Sequence, residues 1–195
     1  MSSSAFIDRV FNHLPRVGGR FEHKSWKHSG NPTSEGVGVL PGPVSVDAMV
    51  GRVMDVDHYK GNLDFLDECR SIADDRFVPP GAVRFYQRVK LPVIGSVHHE
   101  LVLTDHGERD GWRVLAWHQL DAETAALNPK VGARSAYNVG AWLLRPDAVA
   151  YALSSAPRKE DVGRLKYAAM TKGADAGASK VLEGNIAGMK KWASR

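Results

Sequence analysis

Apolar residues at Phe6, Ile7, Val10, Phe11 and Leu14 recur at helical spacing and predict a helix over Ser4–Leu14 with one buried stripe. The next stretch, VGGRFEHKSWKHSGNPTSEG (17–36), is polar and rich in Gly and Ser, and reads as a loop or a loosely packed arm. GVGVL (36–40) is a short strand stopped by PGP (41–43). Ser45 is a good helix N-cap, and Val46, Met49, Val50 and Val53 follow at helical spacing. Asp57 can cap a second short helix running through Tyr59, Leu63 and Leu66. Past residue 67 the period becomes two. Cys69–Ala73 is a strand, and Val83–Leu91 alternates Val83, Phe85, Val89 and Leu91 with Arg84, Tyr86, Arg88 and Lys90. PVIGS (92–96) and DHGERDG (105–111) are turns, with Val97, Leu101 and Leu103 continuing an apolar face between them. Trp112–Leu120, Arg134–Leu144 and Ala148–Ser155 complete an antiparallel sheet in meander order.

Two stretches break this rhythm. Asp121–Ala133 is a long, partly apolar connection of the kind that often acts as a lid. The C-terminal part is helical: Asp161–Met170 forms two turns, TKGAD (171–175) interrupts, and Ala176–Trp192 forms a long helix with Ala178, Val181, Leu182, Ile186 and Met189 on one face. Gly177, Gly184 and Gly188 lie within or beside it, and an interior Gly costs about 1 kcal/mol against Ala. They imply close approach to another element or room beside the helix. A sheet with one apolar face needs a cover, and this helix is the long apolar stripe available. The sheet must curl around it, and the space between is either filled by side chains or hollow.

Composition narrows the class. The 195 residues, 43% apolar and 25% charged, suit one ordinary globular domain. No run approaches the ~20 apolar residues of a membrane span. Asp8 and Arg9 fall where a signal peptide needs apolar residues, and Cys69 is the only cysteine, so a cytoplasmic location is expected. The net charge is +4, and residues 158–195 carry nine Lys/Arg against four Asp/Glu. That surplus is either a solvated face or a site of transient contact with an anionic membrane surface. No nucleic-acid module accompanies it, so no nucleic-acid partner is expected. No metal site is expected either: His98 and His99, being adjacent in a strand, point to opposite faces, and His23 and His28 lie in a polar arm without a nearby carboxylate pair. There is no G-x-S-x-G elbow and no P-loop, and Cys69 has no evident partner, so no catalytic residue and no cofactor is assigned.

The stretches PVSVDAMVGRVMDVDHYKGNLDFLDECRSI (43–72), VRFYQRVKLP (83–92), GWRVLAWHQL (111–120) and AVAYALSSAPRKEDVGRLK (148–166) resemble the START-like branch of the helix-grip superfamily, which includes the Bet v 1 proteins and is also called SRPBCC. The likeness covers roughly residues 35–193. It implies an α+β helix-grip fold, with a curved antiparallel sheet of about seven strands wrapped around a long C-terminal helix and two short helices between the first two strands. Residues 1–34 would be an N-terminal helix and polar arm packing on a START-like domain at 35–195. The resemblance also implies a deep apolar tunnel, a mobile lid at 121–133, and binding or transfer of a lipid such as a sterol, phospholipid or fatty acid. A minority of relatives act on polyketides, so the alternative is a cyclase or aromatase using the same cavity. A monomer is expected.

The candidate ligand-contacting residues are Phe85, Gln87, His99, Leu101, Trp117, Tyr137, Tyr151, Leu127, Ile186 and Met189. If Val89 lies opposite His99, then Gln87 faces Leu101 and Phe85 faces Leu103. Gln87 and His99 are polar groups on an apolar interior face, where they either orient a ligand or satisfy each other or a buried water. Trp117, Tyr137 and Tyr151 are either aromatic lining or ordinary core. Leu127 and Val131, with Val93 and Ile94, are either an apolar rim or packed against it. His99, Glu100, Arg113 and Tyr137 are the acid–base groups available to an enzyme.

Overall fold

The computed structural model describes residues 3–91 and 95–195. One sheet of eight strands runs through it: β1 (Glu22–Trp26), β2 (Glu35–Pro41), β3 (Leu66–Ile72), β4 (Ala82–Leu91), β5 (Gly95–Arg109), β6 (Trp112–Gln119), β7 (Ala133–Arg145) and β8 (Ala148–Pro157). Its order is β1-β2-β8-β7-β6-β5-β4-β3, and each neighbouring pair is antiparallel. Beyond the end of β6, β5 and β7 meet in a short parallel pairing, Val97 with Ala133 and His98 with Arg134. The sheet is therefore curled. Helix α1 (Ser3–His13) lies on its convex face. On the concave side are α2 (Val46–Met54) and the long C-terminal helix, which is preceded by α3 (Asp121–Ala126) and α4 (Lys159–Val162) and is labelled α5 (Arg164–Ala193).

Several expectations need correction. The polar arm is not all loop: Glu22–Trp26 forms β1, paired with β2 from Glu22 opposite Val39 to Trp26 opposite Glu35, which makes the sheet eight-stranded. The second short helix shrinks to a 3-10 turn at Val56–His58, because Gly61 and Phe65 adopt positive φ and end helical geometry. The C-terminal helix is unbroken through TKGAD. The break comes earlier, at Gly163 with φ +76°. Ser45 does cap α2, its Oγ accepting from the Ala48 N–H.

The sheet has two apolar faces. On the concave side Met49 and Val53 of α2 and Leu182, Ile186, Met189 and Trp192 of α5 pack against Leu115, Trp142 and Leu144. On the convex side Phe6, Ile7 and Val10 of α1 cover Val39, Val114, Ala141, Leu143 and Ala150. Burying such side chains contributes about 1.5–3 kcal/mol each. Gly188 allows α5 to lie against the 60–64 turn, since a Cβ there would sit 2.7 Å from the Asn62 carbonyl oxygen. The C-terminal half of α5 is thereby clamped between that turn, α2 and the sheet.

Candidate functional site

The N-terminal half of α5 is not pressed onto the sheet in the same way, and a cavity of about 410 Å³ lies beneath it. Inward-facing positions of the central strands wall it: Phe85, Gln87 and Val89 of β4, Val97, His99, Leu101 and Leu103 of β5, Trp117 of β6, Asn138 and Trp142 of β7, and Tyr151 and Leu153 of β8. Gly177, Ala178, Val181, Leu182 and Asn185 of α5 close it. The rim is built from residues 63–66 and 155–157 with Thr171, Gly173, Gly177 and Ala178 of α5. Gly140 lets the Trp117 ring lie flat across β7, since a Cβ there would fall within 2.4 Å of two ring carbons. Trp117 then stacks on Tyr151, which tilts against Trp142, giving one wall an aromatic surface.

Polar groups sit close together within this wall. The Trp117 indole N–H donates to Asn138 Oδ1 at 2.8 Å, and the Asn138 amide nitrogen lies 3.3 Å from His99 Nε2. His99 Nε2 is 2.9 Å from Gln87 Oε1. With Gln87 Oε1 as the acceptor, Nε2 carries the proton and donates to Gln87, and the Asn138 amide nitrogen is a close neighbour of Nε2 without a hydrogen bond to it. Burial holds the His99 imidazole far below its usual range, at about 3, with neighbouring His98 adding to the effect. The ring is therefore neutral near pH 7. Burial likewise pushes the Cys69 thiol up to about 12 and raises the Tyr151 and Tyr59 hydroxyls well above their usual range.

A neutral buried histidine makes stability depend on acid. The unfolded chain takes up a proton near pH 6.5, whereas the folded chain does so near 3. Between these values the unfolded state binds more protons, so stability falls as pH falls, by at most about 1.4 kcal/mol per pH unit from this group. His99→Phe is expected to flatten the decline in urea midpoint between pH 6 and pH 4. An unchanged slope would mean that His99 titrates normally.

Six of the expected contact residues, Phe85, Gln87, His99, Leu101, Trp117 and Tyr151, line the cavity. The expected register needs a shift of two residues. Gln87 pairs with His99, Phe85 with Leu101 and Val89 with Val97, because the hairpin is tight enough to bring Leu91 opposite Gly95. A shift of two preserves every face, so Gln87 and His99 still point inward and now bond directly. Tyr137 does not line the cavity. A bulge between Ser135 and Tyr137 resets the phase of β7, putting Ser135 and Asn138 inward, and the Tyr137 hydroxyl bonds Thr33 Oγ1 at 2.5 Å. Ile186 and Met189 are fully buried but belong to the filled core beside α2.

The segment expected to be the lid does not border the cavity. Nothing from 121–133 lines the cavity among the described residues, and Leu127 is set apart from it. Instead α3 is pinned to β5. Fully buried Thr124 accepts from the Glu100 N–H through Oγ1 and donates back to the Glu100 carbonyl, Arg76 pairs with Glu123 at 3.1 Å, and Arg134 Nη1 donates to the Ala125 carbonyl. Val131 is exposed, and Val93 and Ile94 lie outside the described residues. Glu100 pairs with Arg84 and Arg113 with Asp105, both away from the cavity, which leaves His99 as the one group of the acid–base set in its lining.

Lining residues not foreseen include Asn138, Trp142 and Asn185. The alternation of Asn138, Gly140 and Trp142 carried the signal for the first two, but the bulge hid its phase. No helix among the described residues is long and apolar enough to cross a membrane.

No protein-family model and no curated protein matches this sequence. Solved structures do match in shape. A STAR-related lipid transfer protein from Xanthomonas axonopodis superposes with a TM-score of 0.73 at 12% identity, covering 93% of this chain and 97% of that one. Human StAR-related lipid transfer protein 5 gives 0.67 at 9% identity, covering 98% and 94%. The Zhui aromatase/cyclase from Streptomyces sp. R1128 gives 0.51 at 13% identity, covering 90% and 95%. The fold is thus the helix grip that these START-related structures share. At these identities the likeness is one of fold.

Proposed function

We propose that this protein binds one lipid-sized apolar molecule, of sterol, phospholipid or fatty-acid-like character, in the cavity under α5 and transfers it between membranes. The observation that carries this reading is the cavity itself: about 410 Å³, walled on the central strands mainly by aliphatic and aromatic side chains, with hydrogen-bonding groups contributed by several elements around it. Its size falls in the roughly 300–1,000 Å³ range of small-molecule sites. The fold likeness to proteins titled as lipid transfer proteins supports the same reading. Access is assigned to displacement of the N-terminal half of α5. That half forms part of the rim, starts from a glycine with no side-chain cap, and exposes 90% of Leu165 beside Arg164 and Lys166. An apolar tip flanked by cations suits transient contact with an anionic membrane.

A cyclase or aromatase reading draws on the Zhui likeness. It is the weaker one, because burial moves His99, Tyr59 and Tyr151 of the wall away from neutral pH and the Glu35 carboxylate is already paired with Arg9. Native mass spectrometry after incubation with a total lipid extract tests the binding proposal. One retained lipid per chain is the expected result. No retained lipid at any loading would overturn it.

A further inference from the structure

Several polar groups of the cavity wall are already bonded within the protein. The Tyr59 hydroxyl donates to the Val53 carbonyl, the Trp117 indole to Asn138, and the Thr33, Ser135 and Ser154 hydroxyls to backbone carbonyls. Tyr151 and Asn185 differ. Both line the cavity, and each is 8% exposed. Tyr151 stands on β8 opposite Gly38 of β2 and Trp142 of β7, its ring fixed between the Trp117 and Trp142 rings. The helix passes directly above, since a Cβ on Gly38 would lie 3.2 Å from Leu182 Cβ. Asn185 is three residues on from Leu182, on the same face of α5, and so comes down beside Tyr151.

Their contact has a direction. Burial raises the Tyr151 hydroxyl and keeps it protonated, whereas the hydrogen bond from Asn185 acts the other way. A neighbour that eases ionisation of a phenol by hydrogen bonding donates to its oxygen, so an Asn185 amide N–H points at the Tyr151 hydroxyl oxygen. With that side of the oxygen occupied, the Tyr151 O–H hydrogen must turn elsewhere. Among the described residues no acceptor bonds it. Both residues keep accessible surface, unlike the sealed, partnerless atoms of His99 and Gln119, and the space they adjoin is the cavity. An unmet donor in an apolar wall calls for an acceptor.

We infer, on the binding reading above, that Tyr151 is the polar anchor of the cavity, its O–H donating to an oxygen acceptor on the ligand, and that Asn185 is a positioning residue that turns this O–H toward the ligand. The ligand class is then an apolar body carrying an accepting oxygen, as in a ketone or an ester. A pure hydrocarbon of the same shape leaves the tyrosine donor unpaired and is disfavoured for that reason.

The test uses two probes of one shape, decan-2-one and 2-methyldec-1-ene, in which C=CH₂ replaces C=O. Both are titrated into the full-length protein at pH 7 and followed by tryptophan fluorescence. Because the two differ in their own affinity for water, the quantity compared between proteins is the ratio of their affinities. In Tyr151→Phe, which removes the hydroxyl and keeps the ring, the ketone-to-alkene ratio is expected to fall about tenfold while alkene binding stays the same. Asn185→Leu keeps the Tyr151 hydroxyl but frees it to turn, and should lower the ratio by a smaller factor. The infrared C=O stretch of the bound ketone gives a direct readout: it should lie at lower frequency in the wild type than in Tyr151→Phe. A purely structural tether between α5 and β8 would lower stability in both variants and leave the ratio and the stretch unmoved. That result would overturn the inference and leave the apolar-ligand reading intact. A wild-type ratio in Asn185→Leu alone would overturn the positioning role of Asn185. If neither probe binds but a lipid is retained from the extract, this inference fails alone, and if no lipid is retained either, both fail.

Discussion

Glu35→Ala is expected to lower the unfolding free energy by about 3–5 kcal/mol, the cost typical of breaking a buried ion pair from one side. The Glu35 side chain is fully buried while that of Arg9 keeps 20% of its surface, and the guanidinium grips the carboxylate with two bonds of 2.7 Å. The same carboxylate accepts from the Trp26 indole at 2.8 Å and from the Asn31 amide at 3.3 Å. One side chain thus ties α1, β1 and the following loop to β2. Because Arg9 reaches water, the loss should sit toward the lower end of the range. β1 has little else to hold it: four of its five residues are exposed, and beyond its pairing with β2 it gains mainly the stacking of Trp26 on His13 at 4.2 Å. Urea unfolding measures the overall loss, and amide exchange should show α1 and β1 opening first. Glu35→Gln keeps the shape without the charge and should fall between the two. A Glu35→Ala midpoint equal to wild type would show that the cluster contributes specificity and not stability.

That cluster also shows why β1 was hidden. EHKSW has no alternation of apolar and polar positions, and it becomes a strand only because β2 offers an edge and Glu35 offers Trp26 a partner from another element. By contrast, Val83–Leu91 was legible because it alternates, and alternation reports the face a residue occupies. It does not report the residue opposite, which is why the pairing of Gln87 and His99 was displaced by two while their inward direction was right. Tyr137 failed for a related reason, since a bulge of one residue inverts everything before it. The second core was visible in principle. WRVLAWHQ places apolar residues on both faces of β6, with Val114 and Ala116 under α1 and Leu115 and Trp117 toward α5, and such a run signals a strand covered on two sides. The single glycine of TKGAD does not break α5, because a cost of about 1 kcal/mol is small against the packing of a helix thirty residues long. The hollow itself has no local signature. It arises because the C-terminal half of α5 is clamped by α2 and the 60–64 turn, leaving its N-terminal half standing off the sheet.

Gly177 lies on that standing-off half, lines the cavity, and has nothing within 4 Å of where a Cβ would be. Gly177→Phe is therefore expected to abolish or weaken ligand binding by at least about tenfold, a loss of roughly 1.4 kcal/mol or more in affinity. It should do so without damaging the fold. Removing a helix-interior glycine is favourable by several tenths of a kcal/mol even for an aromatic replacement, and the ring enters space that is empty without ligand. Stability should thus be retained or slightly raised while binding of the retained lipid is lost, which separates occlusion from unfolding. Gly177→Ala provides the internal control. It adds one methyl group, should raise stability by about 1 kcal/mol, and should leave most of the cavity available. Thermal unfolding and fluorescence titration of the two variants beside wild type give both quantities. If Gly177→Phe folds and binds the lipid as tightly as wild type, the ligand does not occupy the space beneath α5. If Gly177→Ala and Gly177→Phe lose binding equally, the glycine acts through helix flexibility and not through the room it leaves.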